Sequence, residues 1–162
     1  KNGHAFTWYE FNKYWKKNSK PVLFCHADIC FDNNFLKNII KSPKKNIIGV
    51  RKISKEKLRS DSLVIKAGYK NDLIDIDYNY RIINPNGEII GINKISKKTN
   101  QNIYKFMKKF FKSKNRHLNW EPFLKRYIDL KKDKFFILNN QNYNWININR
   151  LSDYNKAINL KF

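Results

Sequence analysis

An α/β fold, a mostly parallel sheet flanked by helices, is what this 162-residue sequence predicts, and three observations carry that prediction. Val22, Leu23, Phe24 and Cys25 form a continuous apolar run, the habit of a parallel-sheet strand covered on both faces. A helical pattern, Phe35-Leu-Lys-Asn-Ile-Ile40, and then a second strand-like run, Asn46-Ile-Ile-Gly-Val50, follow it, which is the order of a right-handed parallel crossover. Farther on, strand-sized and helix-sized patterns keep alternating, without internal repeat or low-complexity linker. The chain is organised around the stretch from Lys20 to Asp32. Its apolar run stops abruptly at Asp28, close to the strand's carboxyl end, where open α/β sheets bind ligands. Asp28 is therefore a candidate to hold a metal or a ligand hydroxyl.

Taken in order, Trp8, Phe11 and Trp15 recur at i, i+3 and i+7, which predicts an amphipathic helix over about 6–17 with its aromatic stripe in the core. Asn18-Ser-Lys-Pro21 breaks it before the key strand. Asp32, Asn33 and Asn34 supply caps for the next helix. The charged segment 51–62 has only Ile53 and Leu58 as apolar anchors and reads as an exposed loop or short helix, a candidate lid. Strand character resumes at Leu63–Tyr69 and Leu73–Ile83, with Lys70-Asn71-Asp72 as the turn between them. Alternation in the second run puts Ile74, Ile76, Tyr78 and Tyr80 on one face and leaves Asp75 and Asp77 on the other, as solvated strand residues. Asn84-Pro-Asn-Gly87 is a turn, and Glu88–Ile95 a strand in which Gly91 marks a bulge or lets another group approach the backbone. Ile103, Phe106, Met107, Phe110 and Phe111 line one face of a helix over 100–112, with lysines opposite. Asn119 caps a further helix whose face is Trp120, Phe123, Leu124, Tyr127 and Ile128. Phe135–Leu138 and Trp145–Asn149 are short strands around a polar loop, and a closing helix packs through Leu151, Tyr154, Ala157 and Ile158.

Composition narrows the function. The length suits one domain, residues 1–162, and no apolar run approaches the roughly 20 residues of a membrane helix. Cys25 and Cys30 do not make a disulfide framework, so reduced thiols and a cytoplasmic setting are expected. Cys25, His26 and Cys30 lack the fourth ligand of a structural zinc site, with His4 and His117 isolated. A net charge of +21 points toward a polyanion. Against that, only six of 34 basic residues are arginine, the better bidentate phosphate ligand, and lysine is spread with Asn and Ile through nearly every segment, as A/T-rich coding would produce.

Four stretches, in order, resemble the nucleotidyltransferases that activate sugar phosphates and phosphocholine. Pro21-Val-Leu-Phe-Cys-His-Ala-Asp28 with Phe31-Asp-Asn-Asn-Phe-Leu36 is similar to that family's strand ending in a small residue plus Asp. Gly87-Glu-Ile-Ile-Gly-Ile92 is similar to its Glu-Tyr-Ile-Gly-Ile segment, and Trp120-Glu121 to an aromatic-Glu pair opening a late helix. Trp145-Ile-Asn-Ile-Asn149-Arg-Leu-Ser-Asp153 is similar to Trp-x-x-Ile-Asp-Thr-x-x-Asp near the family's end. The resemblance implies a Rossmann-like sheet of the nucleotide-diphospho-sugar transferase type, and Mg²⁺-dependent transfer of a nucleotidyl group from a nucleoside triphosphate to a phosphorylated small molecule. In that chemistry a phosphate oxygen attacks the α-phosphorus in line and pyrophosphate leaves, so the protein positions groups and neutralises charge. It implies Asp28 and Asn149 as metal ligands and Glu88, Gly91, Trp120, Glu121 and Trp145 around the substrate; no catalytic residue is identified.

Two departures qualify the expectation. The family's glycine-rich nucleotide loop has no counterpart before Pro21, where Gly3 is the only glycine, so the chain is expected to be the carboxyl-terminal portion of a longer protein, lacking the first strand-loop unit and inactive alone. Asn149 stands where the family has a carboxylate, and a neutral carbonyl oxygen is a weaker ligand for Mg²⁺; capping the closing helix is its alternative role. Arg150 likewise replaces a small hydroxyl residue. Phosphocholine, a phosphonate and a sugar phosphate remain open as acceptors. Tyr78, Tyr80, Trp120, Tyr143 and Trp145 suit a cage for a choline cation and suit a core equally. The competing expectations are a basic non-enzymatic module that binds nucleic acid or another polyanion, and a degenerate relative that keeps the fold as an interaction surface.

Overall fold

The computed structural model describes residues 3–15, 20–52, 62–113, 117–131 and 133–160. Most of the candidate lid, 53–61, lies outside them. Five helices, α1 (His4–Trp15), α2 (Asn33–Lys41), α3 (Lys97–Phe110), α4 (Trp120–Lys131) and α5 (Leu151–Ile158), alternate with eight strands. These are β1 (Val22–Cys25), β2 (Ile29–Phe31), β3 (Ile47–Arg51), β4 (Leu63–Ala67), β5 (Leu73–Tyr78), β6 (Gly87–Ile95), β7 (Phe136–Asn139) and β8 (Trp145–Asn147).

The main sheet runs β5-β4-β6-β3-β7, with β1 also on β6, and β2 and β8 form a separate two-stranded ribbon. β6 opposes β1, β3 and β4, β5 opposes β4, and β7 runs with β3. Strands β1, β3, β4 and β7 therefore share one heading, while β5 and β6 take the other. The fold is α/β as predicted, and most strands do point the same way, but β3–β7 is the one parallel pair among the described residues. The reason is that the β4–β5 hairpin and the Asn84–Gly87 turn send β6 back between β1 and β3. The crossover through α2 thus skips one position. At the outer ends an Asp72↔Phe136 bridge joins the start of β5 to β7, so the sheet curls.

Helices cover both faces. Ala5 and Trp8 of α1, Ile103 and Met107 of α3, and Trp120, Phe123, Leu124 and Tyr127 of α4 pack with Val22, Ile48, Val50, Ile65, Ile76 and Ile95. On the other face Phe35 and Ile39 of α2 pack with Ile47, Ile90 and Ile92. Local chemistry sets the helix starts: Asp32 accepts from the Asn34 amide at 2.7 Å, and Ser96 accepts from the Thr99 amide at 3.3 Å, which begins α3 at Lys97, three residues before the predicted start at Asn100.

Several expectations change. β1 is not covered on both faces; Leu23 and Cys25 are exposed, because among the described residues the strand pairs with β6 alone and helices pack on the Val22 and Phe24 side. The buried line of α1 is Ala5, Trp8 and Asn12, with Phe11 turned outward, since Asn12 joins Asn100 and Trp8 in a buried hydrogen-bonded chain. β5 stops at Tyr78, where the Asn79 amide bonds to the Ser62 carbonyl and a 3₁₀ turn begins; Ile74 and Tyr80 are exposed and Ile76 alone of that alternating set is buried. Asp75 holds Lys125 of α4 at 2.5 Å, an ion pair rather than a solvated strand carboxylate. In α5 only Ala157 is buried, and its N-cap position is Arg150, one residue beyond Asn149. No helix among the described residues is long and apolar enough to cross a membrane.

Candidate functional site

One edge of β6 is shared by two strands in succession. β4 pairs with Gly87 and Glu88, and β1 takes over from Ile92 to Ile95, so among the described residues the edge between them has no neighbouring strand from the main sheet. A cleft of about 440 Å³ opens there. It is lined by Glu88, Gly91, Glu121, Trp145 and Asn149, five of the residues singled out in the sequence, together with His26, Arg51, Ser62, Asn147, Asp153 and Lys156.

Gly91 sits at the centre of this edge with φ +74°, a conformation L side chains rarely adopt. A Cβ there would lie 2.8 Å from Cγ and Nδ1 of His26. The close approach that a glycine inside a strand implies is thus made by the His26 imidazole, whose own amide donates to the Gly91 carbonyl at 2.9 Å. The ring is flanked by His4 and Phe24 at 5.3 and 5.4 Å between centroids. Its Nε2 lies 3.3 Å from Oε1 of Glu121, a carboxylate only 6% exposed at the start of α4, but off the line of a hydrogen bond. That nitrogen and Oδ1 of Asn147 are the two buried side-chain polar atoms left without a hydrogen-bond partner among the described residues. Both belong to the lining of the cleft. Buried polar groups are rarely left so, and at a binding site the missing partner is ordinarily a ligand or a water.

The opposite wall is a layered contact. Glu88 accepts from Nε and Nη2 of Arg51 at 2.7 and 2.6 Å, and the guanidinium lies over the Trp145 ring, 4.6 Å from its centre. The Trp145 indole N–H donates to the Ile90 carbonyl at 3.1 Å. Asp153 accepts from the backbone amides of Asn149 and Arg150 at 3.2 and 3.1 Å, which fixes the start of α5. The Asp28 carbonyl accepts from the Ile148 amide at 2.7 Å, so the β2–β8 ribbon sets Asp28 beside the residue preceding Asn149. Asp28 and Asn149 are both exposed. No group of three or more His, Cys, Asp or Glu side chains able to hold a metal occurs among the described residues.

Trp120 lies elsewhere. It is fully buried, stacked between Trp8 and Phe123, in the core. Nor do the other aromatics form a cage: Tyr78 and Tyr80 stack on each other, Tyr143 packs on Phe35, and one face of Trp145 is taken by Arg51. His26 and Asn147 were missed in the sequence. The signal for His26 was Gly91 itself, which announced a close neighbour 65 residues away without naming it.

No protein-family model matches this chain, and no curated protein does either. Solved structures do. The inositol-1-phosphate CTP transferase from T. maritima superposes with a TM-score of 0.73 at 20% identity, over 96% of this chain and 59% of that one. A putative glucose-1-phosphate thymidylyltransferase from Bacillus anthracis gives 0.72 at 12% identity, over 100% and 64%. CTP:phosphocholine cytidylyltransferase from Streptococcus pneumoniae gives 0.70 at 17%, over 99% and 64%. This chain spans less than two thirds of the length of each. With its mixed sheet and its helices on both faces, the chain has the fold of these nucleotidyltransferases, of which it covers a part.

Proposed function

We propose that this chain carries the acceptor side of a nucleotidyl transfer from a nucleoside triphosphate to a phosphorylated small molecule. The observation behind the reading is the gathering, within a nucleotidyltransferase fold, of Glu88, Gly91, Glu121, Trp145 and Asn149 around one cleft at a strand divide. Arg51 and Lys156 offer positive charge for a phosphate there, and Glu121 and Asn147 offer acceptors for hydroxyls. This lining suits a hydroxylated acceptor better than choline, because the aromatic faces that a quaternary ammonium needs are spent on one another or on Arg51. Residues 1–162 act as one unit in this reading.

Mg²⁺ fits the donors at the ribbon's end. Asp28 offers one carboxylate and Asn149 one carbonyl oxygen, and Mg²⁺ is ordinarily held by one or two carboxylates plus substrate phosphates rather than by an all-protein cage. Such an ion would supply neutralisation of triphosphate charge. The chain's own part is positional: Asp153 holds the Asn149 backbone, the Ile148–Asp28 bond holds the two donors' strands together, and Glu88 keeps Arg51 in place on Trp145.

The test is pyrophosphate release by the full-length natural protein, with each common nucleoside triphosphate paired with phosphocholine, a phosphonate and several sugar or polyol phosphates. Release that needs both substrates and Mg²⁺, and falls at least tenfold in Asp28→Ala, supports the reading. Absence of release with every pair refutes it.

A further inference from the structure

A groove along the outside of α1 and α3 shares no lining residue with the cleft. Its floor consists of the partly exposed rings of Phe6, Tyr9 and Phe106 over the buried Phe111, with no aliphatic side chain. Lys105, Lys108, Lys109 and Lys112 border it at i, i+3, i+4 and i+7, so neighbouring ammonium groups stem from positions about 5–6 Å apart on one helical face. Lys13 of α1 faces them across the groove, and the one carboxylate, Glu10, is already held by Lys13 at 2.7 Å. A smaller hollow continues along α3, shares Lys105 and Lys108, and adds Lys97. Where the two meet, Tyr9 of α1 stacks on Tyr104 of α3 with centroids 5.7 Å apart.

The lysines converge on recessed aromatic surface. We propose that this groove binds a single-stranded polynucleotide, with the lysines on its phosphates and the aromatic floor beneath its bases. A positive groove that tracks the backbone, combined with rings for base stacking, is how single strands are held without sequence preference. Lysine in place of arginine agrees with that, since a point charge neutralises phosphate without the bidentate geometry that reads base edges. The rings of Phe6, Tyr9 and Phe106 are packed on their neighbours yet remain partly exposed, and the flat floor they leave suits bases better than the branched side chains of an acidic peptide. The inference is independent of nucleotidyl transfer, because the two sites have no residue in common.

The test is fluorescence anisotropy of labelled 15-mers of oligo-dT and oligo-U over a salt series. Lys105→Glu with Lys109→Glu is compared with Lys37→Glu and Lys45→Glu, exposed lysines of equal charge outside the groove. The groove pair is expected to weaken binding at least tenfold and to lower the slope of log affinity against log salt by about 1.4, at about 0.7 per phosphate contact. The control pair is expected to stay within about threefold. Hydrogen exchange of the unaltered protein, which needs no variant to fold, is expected to slow over 97–112 when oligonucleotide is added. Equal weakening by both pairs would reduce the effect to net charge and overturn the proposal. So would unsaturable binding at 50 mM salt, absence of protection in α3, or displacement by poly-glutamate as readily as by unlabelled oligonucleotide, which would identify an acidic protein instead.

Discussion

Gly91→Ala tests the construction of the cleft most directly. The new Cβ brings two separable costs. Holding alanine at φ +74° costs about 1–2 kcal/mol. Its Cβ also meets Cγ and Nδ1 of His26 at 2.8 Å, where the ring is walled in by Phe24 and His4 and cannot swing away freely, so overpacking adds about 1–3 kcal/mol. Together the loss is about 2–5 kcal/mol, and at about 2–4 °C per kcal/mol for a chain of this size the melting midpoint falls on the order of 10 °C. Urea and thermal unfolding of four proteins (wild type, Gly91→Ala, His26→Ala and the double variant) separate the terms. With the ring removed, alanine at 91 retains only the backbone cost, so the cycle gives a coupling of about 1–3 kcal/mol. If Gly91→Ala costs under about 1 kcal/mol, or costs the same whether or not His26 is present, the contact does not hold the cleft as described.

Three further outcomes are expected. Glu121→Ala empties a buried position beside His26 and costs about 1–3 kcal/mol in urea unfolding through the space it leaves, with the near-isosteric Glu121→Gln milder; equal, negligible losses would refute a packing role for this side chain. Tyr127 donates its phenolic proton to Asp133, and burial first, then that bond, raise its pKa far above the ordinary 10.0. The folded state therefore keeps a proton that the unfolded chain releases, so this contribution is complete below about pH 10 and declines as the pH rises past it. Wild type should lose stability from pH 9 to 11 more steeply than Tyr127→Phe, and parallel urea midpoints would contradict this. Asn149→Asp places a second carboxylate near Asp28 and is expected to tighten Mg²⁺ at least threefold by calorimetry, a gain that Asp28→Ala abolishes; unchanged Mg²⁺ affinity counts against this pair as the ion's ligands.

Element identity was legible because it depends on local patterns. The period of α3, the Lys70–Asp72 turn with Asn71 at φ 58°, and the Asp32 cap all involve residues a few positions apart. Burial was less legible. Phe11 satisfies the helical stripe yet is exposed, and Asn12 breaks it yet is buried, because Asn12 finds Asn100 from 88 residues away. The same holds for α5, whose apolar face has little to pack against among the described residues.

The sequence by itself determined the α/β class, the order of the helices and of the main-sheet strands, and five of the residues that line the cleft, since periodicity, turn chemistry and the four family-like stretches are properties of neighbouring residues. Only the tertiary structure decided how β6 inserts between β1 and β3, that Trp120 belongs to the core, and that His26 rather than an empty space answers Gly91. Those outcomes depend on which strands meet across the sheet. Strand pairing is a long-range choice made by total burial and hydrogen bonding, and no single segment encodes it.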